Sequence, residues 1–357
     1  AYLRNDFLLI IRAIREAGMS CTMTTGGLNL NQARIDAMIE AGIRSVTFSI
    51  DGLEATHDRL RAVDGSWRRA LQAMRGVRDA GGQIACNTQI NALTRGELLP
   101  LFDLLAAEGI HSWQLQITVP HGNAADHPEI ILQPYMLLEV FDTLETILDQ
   151  AEARGVRIWP GNNLGYFGPL ERRLRKSQRR LWSGCDAGVT VLGIESDGAI
   201  KSCPSLGGPT NVGGNWRDHG LAKLWNETYQ LSYIRRRTLD DLWGYCRDCY
   251  YAETCMAGCT AASEPLLGRP GNNPFCHHRA RMMDRDGLRE RIEQVAAASG
   301  GGFDNGLFRV IREAKDPARR AAEGPVAIEE PRVSRLVEPH GPGRPVELAG
   351  ADASERE

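Results

Sequence analysis

Five times in the first 160 residues, a run with helical periodicity stops at a glycine and a β-rich run follows within about five residues. Phe7, Ile10, Ile11 and Ile14 mark the first helix, which ends at Gly18 ahead of Ser20–Thr25. Gln32–Ala41 stops at Gly42 before Ser45–Ile50, and Trp67–Ala80 stops at Gly81 before Gln83–Gln89. Glu97–Glu108 gives way at Gly109 to Ser112–Thr118, and Glu139–Arg154 at Gly155 to Val156–Trp159. Such alternation predicts an α/β fold with a parallel sheet and crossover helices. An open sheet and a barrel both satisfy it. No G-x-G-x-x-G follows any of the strands, so a dinucleotide-binding sheet has no support. Thr94-x-x-Glu97 reads as a capping box for the fourth helix, with Pro100 in its first turns.

The strands end on polar residues: Thr24, Thr25 and Gly26; Ser49, Asp51 and Gly52; Asn87 with Gln89; Gln116 with Thr118. Parallel α/β folds gather their sites at the carboxyl ends of strands, and four ends of this kind predict a shared polar mouth. Taken singly, each of these residues reads equally well as turn or cap chemistry.

Seven of the nine cysteines fall in two later patches. Cys185 and Cys203 flank Gly198 as C-x12-G-x4-C, and Cys246, Cys249, Cys255 and Cys259 follow as C-x2-C-x5-C-x3-C, with Cys276 beyond. Val189–Cys203 predicts a β-hairpin turning at Ser196–Asp197–Gly198, which would bring Cys185 and Cys203 together. Thiolates at this density hold a metal or a cluster. Zinc and iron–sulfur ligation both use C-x2-C spacing, and an unfilled eighth position suits a cluster with one open iron. Cys21 and Cys86 lie in predicted strands and read as small buried apolar residues.

Composition bounds the rest. With 42% hydrophobic and 24% charged residues, 357 residues suffice for two domains with real cores. The net charge of -3 argues against bulk nucleic-acid binding, and no apolar run is long enough to span a membrane. The opening is charged and amphipathic, without a secretory signal, so tight cysteine spacing favours metal in a reducing cytoplasm over disulfides. The segment 161–184, with Arg172, Arg173, Arg175, Lys176, Arg179 and Arg180, is expected to be a basic connecting surface helix. A helix is expected from Arg279 to about Ala298, and 299–357 is expected to be a disordered tail.

The cysteine spacing resembles the SPASM domain of radical SAM peptide and protein maturases. The upstream half is similar to the radical SAM partial barrel, with Thr24–Gly27 at a strand end and Ser45–Arg61 at the fourth strand and its loop. The resemblance covers about residues 1–295. It implies a partial (β/α) TIM-like barrel over 1–160 (strands three onward) and an auxiliary iron–sulfur domain over 185–298. The family's C-x3-C-x2-C and G-G-E-P motifs do not occur in this sequence. Since the first residue is Ala1, a missing N-terminal segment is expected, the catalytic [4Fe–4S] cluster with it.

For the intact protein the resemblance implies that S-adenosylmethionine is cleaved to a 5′-deoxyadenosyl radical, which abstracts hydrogen from a precursor peptide. It implies that Ser49, Asp51 and Arg61 contact S-adenosylmethionine, with Thr25, Gly26, Asn87 and Gln116 near its ribose or adenine. Cys185, Cys203 and Cys259 would hold one auxiliary [4Fe–4S] cluster, and Cys246, Cys249, Cys255 and Cys276 a second. An electron donor such as flavodoxin or ferredoxin is implied. Pro204 stands where sulfatase-maturing relatives carry Asp, which counts against formylglycine formation. Maturation of a pyrroloquinoline- or mycofactocin-type cofactor is the alternative. A non-catalytic metal-binding, peptide-interaction module is the third reading, should the motif prove truly missing.

Overall fold

The computed structural model describes residues 2–300 and 304–332. Five strands, β1 (Thr22–Thr25), β2 (Ser45–Ser49), β3 (Gln83–Ile90), β4 (Ser112–Ile117) and β5 (Arg157–Pro160), form one parallel sheet in sequential order. The helices between and before them are α1 (Phe7–Glu16), α2 (Gln32–Glu40), α3 (Glu54–Arg61), α4 (Ser66–Asp79), α5 (Leu98–Ala107) and α6 (Leu137–Ala151). Sequential order requires every crossover to wind the same way, so the helices lie on one face and the sheet curves as part of a barrel. That settles the choice between open sheet and barrel. The five glycines read as helix stops all hold φ between 70° and 95°, where only glycine sits without strain.

Register separates the two faces. On the helix side Thr25, Phe48, Cys86, Trp113 and Ile158 align across the sheet, and all five are buried. Cys86 and Cys21 are both buried, Cys21 just ahead of β1. The opposite face carries Ser49, Asn87, Gln114 and Trp159 in one row and Gln89 with Gln116 in the next. This half-exposed amide face is the concave interior.

Beyond residue 160 the structure departs from the sequence reading in several places. The basic segment forms a four-residue α-helix, α7 (Glu171–Leu174), and a 3-10 turn at Lys176–Gln178, and Arg175 is buried rather than solvated. Its guanidinium bonds Glu171 Oε1 at 2.7 Å and the Leu164 carbonyl at 2.8 Å, and lies over Trp182. The expected capping box at Thr94 is not made. Thr94 Oγ1 bonds the Gln89 carbonyl, while Glu97 accepts from the Leu53 N–H and the Thr56 hydroxyl, tying the loop after β2 to the start of α5.

The hairpin forms as β6 (Gly193–Ile194) and β7 (Ala199–Lys201), with β8 (Val212–Asn215) completing a small antiparallel sheet. Short helices follow: α8 (Leu221–Glu227), α9 (Tyr229–Arg236), α10 (Ala252–Cys255), the wholly buried α11 (Thr260–Leu267) and α12 (His277–Arg285).

The helix expected to reach Ala298 stops at Arg285. Leu288–Ala296 is instead a strand, β9, paired antiparallel with β10 (Leu307–Ala314). Helix α13 (Pro317–Glu323) and strand β11 (Val326–Glu329) follow, so the expected tail is ordered through this sheet, and its remainder beyond 332 lies outside the described residues. Leu, Arg, Glu and Ala favour helix locally, but cross-strand pairing of Arg289 and Arg291 with Glu313 and burial of Ile292 override that preference. The sheet is anchored by Arg279, fully buried, which pairs with Glu290 at 2.6 Å and with Glu329 at 3.0 Å. Arg279→Ala leaves buried Glu329 without its guanidinium and Glu290 with Arg312 alone, and we expect it to cost roughly 3–5 kcal/mol in chemical denaturation. An unchanged unfolding midpoint would contradict the anchoring role.

Candidate functional site: two cysteine sets around a barrel mouth

Cys246, Cys249, Cys255 and Cys276 line one cavity of ≈ 370 Å³, counting its opening to solvent, together with Tyr166, Phe167, Tyr245, Tyr251 and His278. Local structure sets each sulfur. Cys246 ends a 3-10 turn, Cys255 ends α10, and Cys276 caps α12, its Sγ accepting from the Arg279 N–H at 3.5 Å. Cys246 Sγ accepts from the Asn273 N–H at 3.4 Å. Phe167 stacks flat on Tyr251 with ring centres 4.3 Å apart, a second apolar wall.

Cys185, Cys203 and Cys259 line a different cavity, ≈ 1800 Å³ including its open part. The far wall of that cavity is the sheet's amide face: Gln89, Gln114, Gln116 and Trp159. The barrel mouth and the three-cysteine set therefore share one space. Thr260, buried beside Cys259, also lines it, and its hydroxyl has no partner.

The split between the sets is made in three residues. Met256, Ala257 and Gly258 all hold positive φ, at 51°, 57° and 67°. Two non-glycine residues there store strain on the order of 1–3 kcal/mol each. The turn separates Cys255, on the first cavity, from Cys259, on the second. Gly258 also has to be glycine, because a Cβ would stand 2.7 Å from the Tyr166 ring.

The donor chemistry fits iron–sulfur ligation. Burial pushes the Cys246 thiol up to about 11 and the Cys276 thiol up to about 12, and raises Cys185, Cys255 and Cys259 as well. Neighbouring sulfurs add to the effect, and they do so within each set: Cys246, Cys249 and Cys276 act on Cys255, while Cys185 and Cys203 act on Cys259. Crowded buried thiols become thiolates only beside a compensating cationic centre. Among the described residues no three His, Cys, Asp or Glu side chains gather as a single metal ion requires. The four cysteines line one cavity, as the ligands of a polynuclear cluster would.

The residues expected at S-adenosylmethionine are only partly brought together. Ser49 and Asn87 are register partners on the concave face; Gln116 lies one row on, beside Gln89. Asn87 Oδ1 is buried without a partner. Thr25 faces the helices instead, its hydroxyl accepting from the Gly27 N–H at 3.0 Å, while Gly26 has open space around its Cα. Thr24 takes the concave side, in register with Thr47. Asp51 is buried and already engaged: it accepts from the Gln89 N–H at 2.7 Å and pairs with Arg61 at 2.5 Å. A ligand carboxylate at Arg61 would share that guanidinium with Asp51.

Sequence reasoning missed His57, Tyr166, Arg279 and Glu329. Tyr166 reaches Cys259 and Glu329 reaches Arg279 across long stretches of chain, while His57 bonds nearby Asp51 through burial that no local pattern shows. His57 is buried, with Nδ1 accepting from the Asp51 N–H at 3.0 Å. Desolvation, then the nearby Arg61, holds its pKa below the ordinary 6.5. The folded protein therefore keeps His57 neutral, so this contribution is present above pH 6.5 and lost as pH falls below it. His57→Asn retains an acceptor and removes the titration. We expect the wild type to lose stability relative to this variant below pH 6.5, and parallel pH profiles would contradict that.

Comparison with known proteins follows the same division. The Radical SAM superfamily profile matches residues 1–98, and the SPASM iron–sulfur cluster-binding domain matches 185–250. AdoMet-dependent heme synthase of Nitratidesulfovibrio vulgaris is 24% identical over 303 residues, 79% of this chain and 77% of that protein. PqqA peptide cyclase of Rhizobium meliloti is 22% identical over 300 residues, 83% of this chain and 76% of that protein. Streptococcus suis SuiB, solved bound to S-adenosylmethionine, shares the fold with a TM-score of 0.55 at 15% identity. That alignment takes in 72% of this chain, which spans 59% of the SuiB chain. Residues 1–98 thus match the Radical SAM superfamily and residues 185–250 the SPASM iron–sulfur cluster-binding domain, within one chain.

Proposed function

We propose that the intact protein is a radical SAM/SPASM maturase that modifies a ribosomally made peptide. One observation carries the choice of substrate: the cavity shared by the barrel mouth and the three-cysteine set is lined by neutral amides. Gln89, Gln114, Gln116 and Asn162 offer donors and acceptors suited to peptide groups. A tetrapyrrole, with its carboxylate side chains, would call for free cations. The arginine on this lining, Arg180, is already paired with Asp186 at 2.6 Å. PqqA peptide cyclase is named for a peptide, and SuiB has been solved bound to its precursor peptide SuiA. A peptide-derived redox cofactor is the narrower variant of the same reading.

When bound, S-adenosylmethionine and a reduced [4Fe–4S] cluster supply a 5′-deoxyadenosyl radical. The residues of this chain then bind, orient and exclude water. Ser49, Asn87 and Gln116 present polar groups along the concave face, and Asp51 holds Arg61 at its rim. Cys185, Cys203 and Cys259 would hold one auxiliary cluster facing the substrate cavity, and the other four cysteines a second behind it. Pro204 stands where the resemblance would place the acid of formylglycine-forming relatives, and proline has no side-chain acid to offer there. A small electron donor in a reducing compartment completes the system. Among the described residues no helix is long and apolar enough to cross a membrane.

Anaerobic reconstitution of the intact protein tests this reading. We expect about four irons with sulfide per auxiliary cluster, one cluster lost in Cys255→Ala, the other in Cys259→Ala, and neither in Cys21→Ala. With reductant and a cognate peptide, 5′-deoxyadenosine should appear together with a change in peptide mass. Stoichiometric zinc without sulfide would overturn the cluster reading. Turnover of a tetrapyrrole but of no peptide would overturn the substrate.

A further inference from the structure

One side chain stands between the two cysteine sets. Tyr166 is buried, and its hydroxyl accepts from the Cys259 N–H at 3.0 Å while donating to the Asn162 carbonyl. Tyr166 also lines the cavity of Cys246, Cys249, Cys255 and Cys276. The ring packs on Gly258 and meets Trp182 edge-on with centres 4.9 Å apart; the Trp182 indole N–H in turn donates to the Cys255 carbonyl at 3.1 Å. Tyr166 and Phe167 both sit in the left-handed region, at φ 76° and 52°. L side chains hold that conformation only where the surroundings enforce it.

Building on the cluster reading above, we propose that Tyr166 is a positioning residue that couples the two sites, its hydroxyl holding the Cys259 backbone of one and its ring lining the cysteine cavity of the other. Asn162 lines the substrate cavity, so the same hydroxyl also ties the cavity wall to a cysteine of the nearer cluster. Movement of that wall on substrate binding would be felt at Cys259 through one oxygen. Hydrogen bonds and geometry around ligating sulfurs set the potential of a cluster, which makes Tyr166 a place where cavity and cluster communicate.

The intact protein, Tyr166→Phe and Tyr166→Leu are reconstituted anaerobically, reduced with dithionite, and read by EPR and potentiometric titration. Tyr166→Phe keeps the ring on Gly258 and Trp182 and removes only the oxygen that Cys259 and Asn162 share. We expect full iron content, a shifted signal and potential for the cluster that Cys259→Ala abolishes, and an unshifted second cluster. Tyr166→Leu, which also empties the space between the sites, should shift both. Tyr166→Phe spectra and potentials identical to wild type at full iron content overturn the proposal, and this variant decides the matter should the leucine variant fail to fold. A wild type that takes up no iron and sulfide is a separate result, read before any variant, and removes the cluster reading together with the proposal.

Discussion

The turn at Met256–Gly258 is the constraint on which the rest of the site depends. Three successive residues with positive φ separate Cys255 from Cys259, so a C-x3-C spacing that would suit one ligand set is divided between two cavities. The turn persists only because its surroundings determine it. Gly258 makes room for the Tyr166 ring, Trp182 closes against that ring, and buried Arg175 lies over Trp182. On the other side Arg279, with Glu290 and Glu329, fixes α12 and with it Cys276. Strain in the turn is thus balanced by two buried charge networks, one local between Glu171 and Trp182 and one joining α12 to β9 and β11.

Division of labour between the sets follows from their surroundings. The four-cysteine cavity is walled by aromatic rings, and an apolar shell keeps water from sulfur and shapes a cluster's potential. The three-cysteine set opens into the barrel mouth, where the concave face contributes amides instead of charges. A parallel sheet with all helices on one side leaves its other face free for such a purpose. Here register places Ser49, Asn87, Gln114 and Trp159 side by side on that face. Fold and chemistry meet in a single cavity.

Much of this was legible in the sequence, for physical reasons. Helix-stopping glycines and strand runs are local signals, and they located all five strands of the sheet within a few residues. The cysteine spacing is equally local, and each set of sulfurs does line a cavity of its own. What could not be read depends on distant partners. Leu288–Ala296 has helical composition, yet it forms a strand because β10 supplies cross-strand partners. Glu329 lay in a stretch expected to be disordered, but its carboxylate reaches Arg279 and the Tyr245 N–H. Thr25 looked like a mouth residue until register put it on the helix side. Glu97 had the spacing of a cap for its own helix and instead bonds the loop before α3.

We propose that the seven cysteines form two separate cluster sites, four around one cavity and three facing the barrel mouth. Anomalous scattering at the iron edge from anaerobically grown crystals of the reconstituted intact protein tests it most directly. One iron centre is expected among Cys246, Cys249, Cys255 and Cys276, and another against Cys185, Cys203 and Cys259 on the amide-lined cavity. A single centre drawing sulfurs from both sets, or scattering at the zinc edge in their place, would contradict it.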